Sequence, residues 1–197
     1  MIPKLFHWIW LGKNSLQPEH AAFILGWIRM HPGWRVVLWD DHNLPALQNQ
    51  HLYDQTTCHG YRGDLLRYQV MYDLGGVYLD VDFECLGQLD PFLDREVLLA
   101  RERPDSVAPG IMGSVAGHPF FKAMLDRQEE FICSHPGEAI HQTGPCYLTA
   151  MYESWTPKFK IVDDPHVFYP FNWGEPRNIR WPETVAAHHW AGTWRKK

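Results

Sequence analysis

The stretch GGVYLDVDFE, Gly75 to Glu84, sets Asp80, Asp82 and Glu84 at alternate positions of a segment that otherwise reads as a buried strand. Residues two apart on a strand share a face, so Tyr78, Asp80, Asp82 and Glu84 would line one side and Val77, Leu79, Val81 and Phe83 the other. The same alternation also suits a strand with one solvated face. Yet Asp and Glu are poor strand formers, and like charges this close repel unless something neutralises them. A hard divalent cation does so, because Mg²⁺ and Mn²⁺ take carboxylate oxygens and keep positions open for substrate phosphates. The predicted chemistry is a cation on Asp80 and Asp82 that bridges a nucleotide diphosphate and stabilises the charge as the diphosphate leaves.

Upstream, Asp64 and Arg67 stand three apart and so share a face of a helix. They read either as a surface ion pair or as a carboxylate that accepts hydrogen bonds from sugar hydroxyls, with the guanidinium orienting it and donating its own. There is no GxxxxGK[ST] loop to cradle phosphate instead. With 18 basic and 23 acidic residues the net charge is -5, and Lys and Arg form no stripe on any predicted helix, which excludes a nucleic-acid surface built on phosphate contacts.

The elements that must hold these residues follow from periodicity. IPKLFHWIW reads as a strand, PEHAAFILGWIRMH as a helix ended by Pro32-Gly33, and WRVVLWDD as a second strand. YRGDLLRYQVMYDL predicts a helix stopped by Gly75-Gly76, and GVYLDVDF the next strand. A proline-bounded turn at LDPFL, a strand EVLLA, a proline-containing loop from Arg103 to Pro109, a short apolar piece IMGSVAG and a helix PFFKAMLDRQEEFICSH follow, and the part after Gly144 is less regular. Strand, helix, strand order predicts an α/β layered sheet with parallel neighbours, and ligands then gather beyond the carboxyl ends of the strands, where Asp82 would be delivered. The 197 residues, 45% of them apolar, suit one domain, 1–197, with no run near the roughly 18 to 20 residues that cross a bilayer.

The run YRGDLLRYQVMYDLGGVYLDVDF resembles the signature of the DXD-motif sugar-nucleotide transferases, matching it at Asp64, Arg67, Gly75, Gly76, Tyr78, Asp80 and Asp82. That family includes the initiating α-1,6-mannosyltransferase of yeast, the α-1,4-galactosyltransferases, bacterial polysaccharide enzymes and, more distantly, the clostridial glucosylating toxins. IPKLFHWIWLGK is similar to the family's first strand, HPGWRVVLWDD to its second, GHPFF and TGPCYLT to later landmarks, and AAHHWAGTW to its closing H-x-x-x-x-[ST]-W.

The resemblance implies a GT-A fold: a three-layer α/β/α domain with a mostly parallel, Rossmann-like sheet, its nucleotide-sugar and metal half in 1–86 and its acceptor half in 87–197. It implies hexosyl transfer with retention, dependent on Mn²⁺ or Mg²⁺, from a UDP-sugar in the first place or GDP-mannose, to a glycan, lipid-linked or protein acceptor. By position, Trp8, Ile9 and Trp10 would pack on the base. Asp80 would contact the ribose and donor sugar, Asp82 would bind the metal, and Asp64 and Arg67 would hold the sugar hydroxyls. Thr193 and Trp194 would touch the β-phosphate. His188 fits the closing motif as the second metal ligand and is the preferred assignment; His189, which fits the H-x-x-G spacing of another transferase group of the same fold, is the alternative. Glu84 is a candidate for an acceptor-side role.

Three positions depart from the signature. Gly63 replaces the usual Ser before the Asp, Pro109 and Gly110 stand where an Asn is common, and Ser114 is the candidate to replace that contact. A non-catalytic nucleotide-sugar-binding module would use the same residues. A DxDx[TV] phosphohydrolase would need Thr or Val where Glu84 stands. Cys58, Cys85, Cys133 and Cys146 show no CxxC pairing, which predicts reduced thiols and a cytoplasmic setting, with a peripheral position at the inner membrane surface or a secreted effector as the other options.

Overall fold

A computed structural model describes residues 1–192. In chain order the elements are β1 (Leu5–Ile9), α1 (Pro18–Met30), β2 (Arg35–Trp39), α2 (Gln50–Asp54), α3 (His59–Leu74), β3 (Gly76–Leu79), β4 (Phe83–Cys85), β5 (Val97–Arg103), β6 (Ser106–Ser114), α4 (Pro119–Ser134), α5 (Ala139–Gln142), α6 (Pro145–Ser154) and β7 (Ala186–His188). Five strands form one sheet in the order β2-β1-β3-β6-β5, and β4 and β7 form a second, two-stranded sheet. β1 pairs in parallel with β2 and β3, β6 runs against β3, and β5 runs against β6, so β2, β1, β3 and β5 point one way.

Alternation along the strands feeds a core on each face of this sheet. Tyr78, Val97, Leu99 and Met112 pack with α3, α4 and α6, whereas Val77, Leu79, Leu98 and Ile111 pack with Phe6, Trp8, Trp27 and Phe168. The layers are therefore helix, sheet, then α1 with the segment around Phe168. α3 is buried at every position from Gly63 to Met71, which is what allows it to carry Asp64 and Arg67 into the interior. The helix stops because Gly75 and Gly76 have φ of 63° and 88°, a region L side chains avoid. A Cβ on Gly75 would lie 2.5 Å from the Ser114 carbonyl oxygen, and one on Gly76 2.5 Å from that of Leu5, so the pair also lets β3 enter between β1 and β6.

The expected continuous strand to Glu84 is two strands in two sheets. β3 ends at Leu79, the Asp80 N–H donates to the Gly110 carbonyl at 2.8 Å, and the Phe83 N–H donates back to the Asp80 carbonyl at 3.1 Å. The ladder stops there because the chain turns, the Asp80 carbonyl being taken by the Phe83 N–H. The turn at 80–82 redirects the chain to β7, with Phe83 opposite His188. A second correction concerns the loop and apolar piece expected between Arg103 and Gly117, which is largely the buried strand β6. All four cysteines are free thiols. No helix among the described residues is long and apolar enough to cross a membrane.

Candidate functional site

The turn between β3 and β4 makes the site. It separates Asp80 from Asp82 and presents both to β7, which carries His188. The His188 Nε2 lies 3.1 Å from Asp82 Oδ1 and 3.6 Å from Asp80 Oδ2, and one ligand atom from each of the three residues falls within 4.8 Å of the others. The Ala191 N–H donates to the other Asp82 oxygen at 2.6 Å, and the His189 N–H to the Asp82 carbonyl at 2.9 Å. Burial alone would raise the Asp82 pKa, but His188 and the Ala191 N–H hold it well below the usual carboxylate range. Burial likewise opposes a charged His188, and Asp82 and Asp80 outweigh it and raise its pKa. His188 is stacked on Phe83 at 4.7 Å and packed by Trp190 at 4.3 Å.

Two carboxylates and an imidazole suit a divalent cation. Among the described residues, the His188 imidazole is the group set between the two acids. A second acid–histidine group, Asp164, His166 and Glu183, lies at the surface.

Arg67 ties this cluster to the helix behind it. Its Nη2 is 3.0 Å from Asp64 Oδ1 and 3.4 Å from Asp80 Oδ1, its Nη1 donates to the Pro109 carbonyl at 3.0 Å, and its guanidinium lies 4.8 Å over the Tyr78 ring. The Tyr78 hydroxyl donates to Asp80 Oδ1 at 2.6 Å. The Thr143 hydroxyl donates to Asp64 Oδ2 at 2.7 Å. Burial lifts the Asp64 pKa to about 6 against the pull of Arg67 and Thr143, so near neutral pH Asp64 is a carboxylate close to its protonation threshold. Arg67 stays protonated because its acidic neighbours outweigh its burial.

The structure thus brings together Asp64, Arg67, Tyr78, Asp80, Asp82 and His188, and separates others. His189 points away: its Nε2 is 3.0 Å from Glu84, and its ring stacks on Phe23 of α1 at 4.6 Å. Glu84 also pairs with Arg180, so it leaves the Asp80–Asp82 side altogether. Trp8 is fully buried, which takes its ring off any base-facing surface; Ile9 and Trp10, at the carboxyl end of β1, are partly exposed. Ser114 pairs with Gly76 at the far end of β3 and does not replace the missing Asn. Gly63 lies inside α3, five residues beyond its cap Cys58, so no capping group is lost there. Thr193 and Trp194 lie outside the described residues.

Sequence reasoning missed three contributors. Thr143 sits inside the landmark TGPCYLT without a spacing rule to single it out. Pro109 and Gly110 act through their carbonyls, and Gly110 also through its missing side chain: a Cβ there would meet Phe83 Cε2 at 2.9 Å, Tyr169 OH at 3.1 Å and Asp80 Oδ2 at 3.2 Å.

Residues 18–99 match the family model described as glycosyltransferase sugar-binding region containing DXD motif. Inositol phosphoceramide mannosyltransferase 2 of Schizosaccharomyces pombe is 30% identical over 86% of this chain and 50% of its own length, and inositol phosphoceramide mannosyltransferase 3 of the same yeast is 28% identical over 78% and 46%. The chain spans about half the length of these curated relatives. Among solved structures, the PaToxG glycosyltransferase superposes with a TM-score of 0.66 at 14% identity, over 79% of this chain and 70% of that one. That likeness shows the fold, a GT-A α/β/α architecture.

Proposed function

From the premise that the chain carries a DXD-containing glycosyltransferase sugar-binding region over residues 18–99, we propose that it transfers a hexose from a nucleotide-diphosphate sugar to a hydroxyl of a glycan or lipid-linked acceptor, with retention of configuration. The observation that carries this reading is the convergence of Asp80, Asp82 and His188, with Arg67 joining Asp80 to Asp64. A UDP-sugar is the first donor to test and GDP-mannose the second, since the relatives are named as mannosyltransferases.

Asp82 and His188, with Asp80, would hold a Mn²⁺ or Mg²⁺ ion, which when bound supplies positive charge to the two phosphates. Asp64 accepts hydrogen bonds from the sugar hydroxyls, and Arg67 fixes the carboxylates of Asp64 and Asp80 so that neither rotates away. Ile9 and Trp10 flank the base, and Thr193 and Trp194 meet the β-phosphate. The acceptor oxygen bonds to the anomeric carbon as the bond from that carbon to the diphosphate oxygen breaks, and the acceptor proton passes to the departing diphosphate. The protein's part is positioning and exclusion of water.

The test is a panel of UDP- and GDP-sugars with Mn²⁺, followed by release of nucleotide. Release from one donor, lost on chelation, supports the reading. If a donor binds and none is turned over, the chain is a binding module instead.

A further inference from the structure

The two edges of the main sheet are finished differently. At one edge β5 is covered: Val162 bridges to Ala100, the Arg101 N–H donates to the Val162 carbonyl at 3.0 Å, and the Val162 N–H donates to that of Leu99 at 2.9 Å. At the other edge stands β2, paired to β1 along its whole length without a bulge. The Arg35 N–H donates to the Lys4 carbonyl and the Trp39 carbonyl accepts from the Trp10 N–H. The backbone groups of Arg35, Val37 and Trp39 therefore face β1, and those of Val36 and Leu38 face outward. The Leu38 carbonyl accepts from the Asn43 side chain at 2.9 Å, and among the described residues no backbone segment pairs with the rest of this edge.

A bare edge recruits another strand, and proteins blunt it with proline, a bulge, a central charge or a covering segment. β2, RVVLW, has its charge at the first residue and none of the other devices. Its apolar side chains add to the exposure: Val36 and Leu38 are 40% and 39% exposed. They stand in register with Phe6 and Trp8, which pack with Trp27 of α1, so both lie on the α1 face of the sheet. Arg35 opens the strand and Asp41 lies just past its end. Neither has an ion pair among the described residues; Asp41 accepts from the Gly12 N–H at 2.7 Å through one oxygen.

We propose that β2 is the interface of a two-fold symmetric dimer, in which two copies of this chain pair antiparallel about Val37 and join their sheets into one. In that register Val36 lies opposite the partner's Leu38, apolar against apolar, and the two exchange N–H···O=C bonds on each side of the axis. The Leu38 carbonyl has a second lone pair for this. Arg35 comes opposite the partner's Trp39, with the partner's Asp41 on the diagonal beyond it, so the positive end of each strand meets the negative end of the other. A two-fold axis satisfies that charge complementarity on both sides at once, which selects a second copy over an unlike partner. β1 separates β3 from this edge, so each copy keeps its own Asp80, Asp82 and His188 group.

The experiment measures the mass of the full chain by sedimentation equilibrium over a range of concentrations. The expected result is a reversible monomer–dimer equilibrium. Val36→Pro removes an N–H that points away from β1, so the ladder within the chain is kept, and it should raise the dimer dissociation constant about tenfold or more. Val36→Lys, a change at an exposed side chain that leaves the backbone donors in place, should weaken the dimer as well and carries the test should Val36→Pro fail to fold. Arg35→Glu sets like charges together and should weaken the dimer, and adding Asp41→Arg to it should restore part of the loss. A wild-type chain that stays monomeric at every concentration overturns the inference and leaves the edge to another protein's strand. A dimer that the folded Val36 variants leave unchanged, or an open-ended series of larger species, overturns it too.

Discussion

Asp82 and His188 are 106 positions apart in the chain and 3.1 Å apart in the fold. The contact is made by strand pairing: Phe83 sits opposite His188 in the small β4–β7 sheet, which brings the imidazole to the turn that carries Asp82. Because neighbours on a strand point to opposite faces, the same pairing sends His189 the other way, to Glu84.

Metal binding should therefore separate the two histidines. At Mn²⁺ a hundred times the dissociation constant, wild-type protein gains about 2.7 kcal/mol of stability from the ion. Asp82→Asn and His188→Gln should abolish that gain in thermal or urea unfolding with and without Mn²⁺, whereas His189→Gln should keep it while losing some metal-independent stability through Glu84 and Phe23. A metal-linked gain surviving in His188→Gln would move the ligand elsewhere.

Arg67 is expected to be irreplaceable by lysine. Its guanidinium spans Asp64, Asp80 and the Pro109 carbonyl while lying over Tyr78, a planar fork that a single ammonium does not reproduce. Arg67→Ala leaves two acids facing each other without a cation and should cost about 3–5 kcal/mol in urea unfolding. Arg67→Lys should recover part of that stability and little of the donor affinity; full recovery of both would show that charge alone matters.

Gly110→Ala tests the tightness of the site at one atom. The added methyl meets the buried Phe83 ring and the Asp80 carboxylate, and overpacking of this kind costs about 1–3 kcal/mol. Because Asp80 is the more movable neighbour, Mn²⁺-dependent nucleotide affinity should fall further than stability does. Wild-type affinity in this variant would mean that Asp80 does not need its present position.

His7 gives the protein an acid-sensitive joint away from the site. Its Nε2–H donates to the Gly75 carbonyl at 2.8 Å and its Nδ1 accepts from the Trp39 indole at 3.1 Å. Burial lowers its pKa from 6.5 to about 4, with the Gly75 carbonyl opposing and Arg35 adding to the effect. The unfolded chain therefore binds the proton first as pH falls. This contribution is fully present above 6.5 and is lost between 6.5 and 4, amounting to about 3 kcal/mol. Urea unfolding at pH 7 and pH 4.5 should show His7→Gln to be less pH-dependent than wild type by that order; equal slopes would remove His7 as the cause.

Much of this was legible because the responsible residues are side chains under strong local rules. Gly75-Gly76 announces the stop of α3 through its required φ, and the three-residue step from Asp64 to Arg67 places both on one helical face. The break after Leu79 was hidden because Leu79 before it and Val81 and Phe83 after it are all buried, so the alternation survives a turn that ends the strand. The closing motif's spacing favours His188 over His189, and the partner strand shows why it is the one that faces Asp82. The carbonyls of Pro109 and Gly110 leave no trace in residue type, and Trp8, counted with the base-facing residues by its position in the first strand, is taken by the core beneath α1.

The pairing of β4 with β7 also sets a timetable. During synthesis, β1, α1, β2, α3 and β3 can meet as soon as their residues leave the ribosome, and β6 and β5 complete the large sheet well before residue 188 exists. Until then Asp80 and Asp82 are two unopposed acids on a turn. The carboxylate–histidine cluster is thus assembled after the principal sheet, and a chain stalled short of β7 would have that sheet and the two acids without the imidazole that meets them.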